Sequence, residues 1–278
     1  MTDPRSVLSG GNLFNRLAFP GNTLVADEEA SGHEAWRIAT GRRSPYTNYY
    51  TSITANVQRT LTLTCDRVRA ADFLVLDRGH NLTRLILEIS DVADFSSPAV
   101  LFDITLPTST GAGSLDDDFG VRSEEGAWYK RFPERTANYW RLKIPAMGAN
   151  QRPKIVGANL SLSYDFDPWR PTSPDATELG GELTESDGGW RAMMAWNRRV
   201  DALRIQLSDL FDYDLWFNVF QHFVKYRPAF YVPDDSWAQN ACCIAPAPGV
   251  IGLGREPDWF PHKGVVPYIE HEPAGVNG

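Results

Sequence analysis

Cysteine is scarce in this chain of 278 residues: there are three, and Cys242 and Cys243 are adjacent. An odd count with two neighbours excludes a disulfide framework and fits a reducing compartment, and without CxxC or HxxxH spacing small buried apolar residues are a plainer reading of the cysteines than a metal site. Long apolar runs are lacking too. No stretch approaches the roughly 18 residues of a membrane span, and Met1-Thr2-Asp3-Pro4-Arg5 has no apolar segment after it. The sequence therefore predicts a protein made in the cytoplasm, with no signal peptide and no membrane partner. Without a secretory signal, the sequons at Asn81 and Asn159 carry no weight. Basic charge is also short. The net charge of −8 argues against nucleic acid as a partner, and the acidity belongs to the C-terminal part, where residues 171–278 hold 8 Lys and Arg against 15 Asp and Glu.

Catalytic signatures are missing as well. There is no GxSxG elbow, no GxGxxG and no GxxxxGK[ST], and the five histidines (His33, His80, His222, His262, His271) stand apart from any reactive-looking serine or cysteine. Glu124, Glu125 and Glu134 are available as carboxylates, but their spacing singles out no acid and base pair. Asp116-Asp117-Asp118 lacks the spaced pattern of a calcium loop, and contiguous carboxylates cannot all face one ion, so a solvated acidic loop is the plainer reading. No enzyme activity, metal or cofactor is expected.

What is present is the composition of a globular protein, 42% hydrophobic and 22% charged. Residues 59–90 organise the chain. Leu61, Leu63 and Cys65 alternate with threonines, residues 73–76 form a short apolar run, and residues 84–90 form another strand. Between them lies a corner, Arg78-Gly79-His80-Asn81, where Gly79 permits positive φ and Asn81 tolerates it. His80 there is expected to bond a backbone carbonyl rather than act as a ligand. Further strands are predicted at 35–38, 52–55, 99–105, 139–144 and 155–162, with an exposed loop over 108–125. Residues 1–32 read as an arm lying on a neighbour, and residues 33–166 as a β-sandwich. Residues 167–180 read as a proline-rich linker joining two separately folding halves. Residues 181–278 read as a smaller α+β domain. Its strands fall at 190–207, 229–232 and 265–270, and its aromatic helix after Ser208 places Trp216, Phe217, Phe220 and Phe223 on one face as assembly candidates.

At these residues the chain resembles a known family. Trp36-Arg37 with residues 46–50, the strand from Arg59, the segment 73–82, and Tyr139-Trp140-Arg141-Leu142 followed by residues 155–163 look like a galactose-binding-like (discoidin-type) jelly-roll sandwich. The Arg78 to Leu82 corner is similar to that of the version in bacteriophage tail and virion proteins, and Asn12-Leu13 matches the opening segment that packs along such a sandwich. The C-terminal pattern, with Pro233-Asp234 and Glu270, is similar to segments of tail-tip proteins. The resemblance implies a mainly β fold and a structural protein of a phage virion, at the tail or tail tip, whose partners are itself and other tail proteins. The second reading is a carbohydrate-binding adhesin for host surface glycans, and the third a glycan-degrading enzyme. Ligand loops at one end of such sandwiches present aromatic and Arg side chains. Here Arg42, Arg43, Tyr46, Asn48 and Tyr49 cluster in that place, beside Tyr50. Sugar contact and protein contact fit this loop equally, and packing of two of its tyrosines is the plainer account.

Overall fold

The computed structural model describes residues 6–39, 49–77, 80–106, 128–148, 150–166, 177–185, 191–207, 229–232, 242–246 and 262–271; beyond Tyr164 the side chains described are those of Phe230 and Val232. Among the described residues the strands are β1 (Ser6–Ser9), β2 (Thr23–Ala26), β3 (Tyr50–Thr51), β4 (Arg59–Leu76), β5 (Arg84–Ser90), β6 (Ala99–Thr105), β7 (Trp128–Ile144), β8 (Lys154–Ile155), β9 (Ala158–Ser161), β10 (Ser163–Phe166), β11 (Thr177–Glu185), β12 (Arg191–Leu207), β13 (Ala229–Val232), β14 (Cys242–Pro246) and β15 (His262–His271). All pairings are antiparallel, so the mainly β expectation holds.

One sheet runs β2-β4-β7-β5-β6, with β9 on the second half of β4. Alternation explains its buried face: Leu61, Leu63 and Cys65 of β4 meet Trp140, Leu142 and Ile144 of β7 and Leu85 and Leu87 of β5 in one core. Where two strands were expected at 59–64 and 71–76 there is a single strand of 18 residues with two register shifts against β7. At the second, the extra residues are on β7, where three residues separate Arg131 from Arg135 while only Asp72 separates Phe73 from Ala71. Ala71 and Leu74 both face the core, so the bulge inverts the faces, and Phe73 and Val75 turn outward to a second cluster with Val7, Tyr129, Phe230 and Val232. The corner after β4 does not form a hairpin, because β7 lies between β4 and β5. Arg78 and Gly79 fall outside the described residues.

Residues 6–32, expected as an arm, pack on the sandwich. Leu13, Phe14, Phe19 and Leu24 belong to the main core, and β2 pairs with β4. The side chain of Asn12 fixes this path, its Nδ2 donating to the Ala158 carbonyl at 2.8 Å while Oδ1 accepts from the Leu160 and Phe14 amides. The segment's four apolar anchors join the core that β4, β5 and β7 form.

The second sheet runs β10-β1-β13-β14-β15-β12-β11 and is drawn from both ends of the chain. Gly10 lets β1 lie close to β10, since a Cβ there would come within 2.9 Å of the Tyr164 ring. The last four residues of the expected linker, 177–180, lie in β11. The second half does not show the expected strand-helix-strand composition among its described residues, which form only strands. Trp216, Phe217, Phe220 and Phe223, with the helix expected to carry them, lie outside the described residues.

Candidate functional site

A short 3-10 turn, Ala35–Ala39, stands where a strand was expected. Its start is held by Glu29, whose Oε1 accepts the Ala35 amide at 3.1 Å, and by Glu34, whose Oε1 accepts the Gly32 amide. Three residues per turn put Ala35 and Ile38 together in the core and turn Trp36 outward, 43% exposed. A strand would have put Trp36 on the face of Ile38. That is why sequence reasoning missed Trp36 as a surface group: the period assumed was two rather than three.

Beside Trp36 the polar groups are fixed. The Arg37 guanidinium carbon lies 5.2 Å from the Trp36 ring centroid, and Arg37 Nε donates to Glu34 Oε2 at 2.7 Å. That bond is the main reason the Glu34 carboxyl lies below the usual carboxylate range. Next in the strip is Tyr49, which the sequence singled out. Its ring stacks on His33 with centroids 4.1 Å apart, its carbonyl lies 3.2 Å from His33 Nδ1, and Lys154 Nζ is 5.0 Å from its centroid. The imidazole therefore covers one face of Tyr49. Its neighbour Tyr50 is fully buried and donates its hydroxyl to the Glu28 carbonyl at 3.0 Å. Burial raises the Tyr50 pKa far above that of an ordinary phenol.

The strip ends at Asn81, whose Nδ2 donates to the Arg152 carbonyl at 2.8 Å while Oδ1 accepts the Lys154 amide at 2.7 Å. These two bonds tie the corner to β8, which pairs with β3 beside Tyr49. His80 points the other way. It is buried, its Nδ1 meets no partner instead of the expected carbonyl, and burial pushes its pKa down to about 4. Arg42, Arg43, Tyr46 and Asn48 lie outside the described residues, so Tyr49 is the one member of the expected ligand loop placed here.

The carboxylates near the strip are engaged by protein groups. Glu28 accepts the Thr54 amide and hydroxyl and pairs with Arg59 at 2.5 Å, which also lies 4.0 Å from Asp27. Among the described residues no three His, Cys, Asp or Glu side chains gather as metal ligands. The strip thus offers an exposed indole, a fixed guanidinium and carboxylate pair, and an ammonium: surfaces for stacking and for directional hydrogen bonds.

No known protein family matches the chain, and no curated protein matches it by sequence. Solved structures with a similar shape include chitosan-binding module 1 of a chitosanase/glucanase from Paenibacillus sp. IK-5. It is 17% identical with a TM-score of 0.39, over 54% of this chain and 97% of that one. The family 32 carbohydrate-binding module of Clostridium perfringens NanJ, in complex with galactose, is 11% identical with a TM-score of 0.40, over 56% and 99%. A GH29 fucosidase of Ruminococcus gnavus is 12% identical with a TM-score of 0.42, over 55% of this chain but 27% of the enzyme. Each of these likenesses covers about half of the present chain, and support for a phage origin is not among these findings.

Proposed function

We propose that the chain is a carbohydrate-recognition protein that binds a glycan at the strip from Trp36 to Lys154, without turnover. The observation that carries this reading is Trp36. A large aromatic held outward by a capped turn, with a hydrogen-bonding pair anchored beside it, has no core to serve. An indole face fits the apolar face of a pyranose, and the Arg37 and Glu34 pair presents polar groups to its hydroxyls. The virion reading rests on the resemblance of the Arg78 to Leu82 corner and of the C-terminal pattern; of the features that suggested assembly, the apolar anchors Leu13, Phe14 and Phe19 lie in the core and residues 216–223 lie outside the described set.

The test is glycan-array screening followed by calorimetry with the best saccharide. Trp36→Ala should weaken binding at least about tenfold, the effect of losing roughly 1.4 kcal/mol of stacking, with the unfolding temperature unchanged. Incubation with the same saccharide should release no product. A bound glycan indifferent to Trp36→Ala, or no glycan bound at all, would overturn the assignment.

A further inference from the structure

Where the second sheet closes over the sandwich, three polar side chains are sealed in. Ser9, Asn159 and Ser161 are at most 1% exposed. Asn159 and Ser161 alternate on β9, opposite Val75 and Phe73 of β4, so both project from the face that β1 and β13 cover. Pairing of β1 with β13 stops at Leu8 and Tyr231, and the next amide, Phe230, donates instead to Ser9 Oγ at 2.7 Å. Ser9 Oγ also accepts Asn159 Nδ2 at 3.2 Å.

Among the described residues three capacities stay unused: Asn159 Oδ1 and Ser161 Oγ have no partner, and a Ser9 hydroxyl that already accepts twice still has its proton to give. Rotating the Asn159 amide by half a turn lets Ser9 donate to Oδ1, but Nδ2 then takes over the unpartnered position. A buried polar atom without a partner keeps its full desolvation cost, so two on one strand face call for an occupant.

We propose that this seam is a built hydration site: one internal water accepts from Ser9 and donates to Asn159 Oδ1 and Ser161 Oγ, joining the sandwich to the strand that carries the C-terminal sheet. Dimensions agree. Residues two apart on a strand are about 6.8 Å apart at their backbones, and one water bridges acceptors about 5.6 Å apart once the side chains incline toward it. Three partners are also what an internal water usually has.

A high-resolution crystal structure of the intact chain should show one ordered water within hydrogen-bond distance of all three side chains. Asn159 bonded directly to Ser161, or a seam closed by apolar atoms, would overturn the proposal. Ser161→Ala gives a second reading by its sign. In a hydrated seam the water loses an anchor, the urea midpoint falls, and the Phe230 amide exchanges several-fold faster. In a dry seam the substitution deletes an unsatisfied hydroxyl, and the midpoint stays or rises. If that variant does not fold, the crystal structure of the parent chain decides alone.

Discussion

His80 illustrates how burial at one residue sets a property of the whole chain. With a folded pKa of about 4 and an unfolded value near 6.5, the folded protein binds fewer protons than the unfolded chain between those pH values. Its stabilising share is complete above about pH 6.5 and is lost as the pH falls toward 4, by up to about 3 kcal/mol. Carboxyls held low, such as Glu34 and Asp103, add their own loss in acid as they become protonated. Comparing slopes isolates the histidine: urea midpoints of His80→Gln should fall less steeply than those of the parent between pH 6.5 and 4. Equal slopes would mean that His80 is solvated and titrates normally. At the same scale, the sequence named His80 and Asn81 as corner residues without showing their opposite fates. A single residue type does not reveal which way its side chain points. Trp36 was hidden for the same reason, since its direction follows from the period of the turn around it.

Among elements, β4 was the most legible and also the most misleading. Its alternation over residues 59–65 and its apolar run over 73–76 mark strand, but the inversion at Asp72 makes one strand look like two, because each half obeys a different phase. The Asp72 carboxylate then steers the chain between sheets. It accepts the Ser163 amide at 2.6 Å and the Ser163 hydroxyl at 2.9 Å, at the point where β9 on the first sheet gives way to β10 on the second. Burial raises the pKa of this carboxyl against the lowering effect of those bonds, so ionised Asp72 is strained by desolvation. Its contribution therefore weakens as the pH rises through its folded pKa. Asp72→Asn keeps an acceptor for Ser163 without the charge and should be neutral or mildly stabilising at pH 7. Asp72→Ala leaves the Ser163 amide unpaired and should cost about 1–3 kcal/mol in urea unfolding. Equal losses in both variants would show that the charge, not the acceptor, holds the turn.

For the whole molecule, the decisive pairing is between β1 and β13, more than 220 residues apart in the chain. Local periodicity marks β13 as a strand but not β1, whose residues read as part of an arm, and it says nothing about partners. The proline-dense stretch over residues 167–180 suggested two separable halves, yet β1 and β10 from the sandwich side sit in one sheet with β11 to β15. Val7, Phe73, Val75 and Tyr129 share their cluster with Phe230 and Val232, the two members supplied from beyond the linker. A fragment ending at Phe166 would uncover the outer side of that cluster and leave Ser9 without the Phe230 amide. Partial exposure of four large side chains corresponds to a loss of about 5 kcal/mol as an upper figure, comparable with the whole stability of many domains. The fragment should therefore unfold at clearly lower urea than the intact chain, and its Val75 and Tyr129 amides should lose protection from exchange ahead of the Leu61 and Leu142 amides at the other end of the sheet. Matching midpoints for fragment and intact chain would instead establish the sandwich as an independent domain, with β13 resting on a surface that is stable without it.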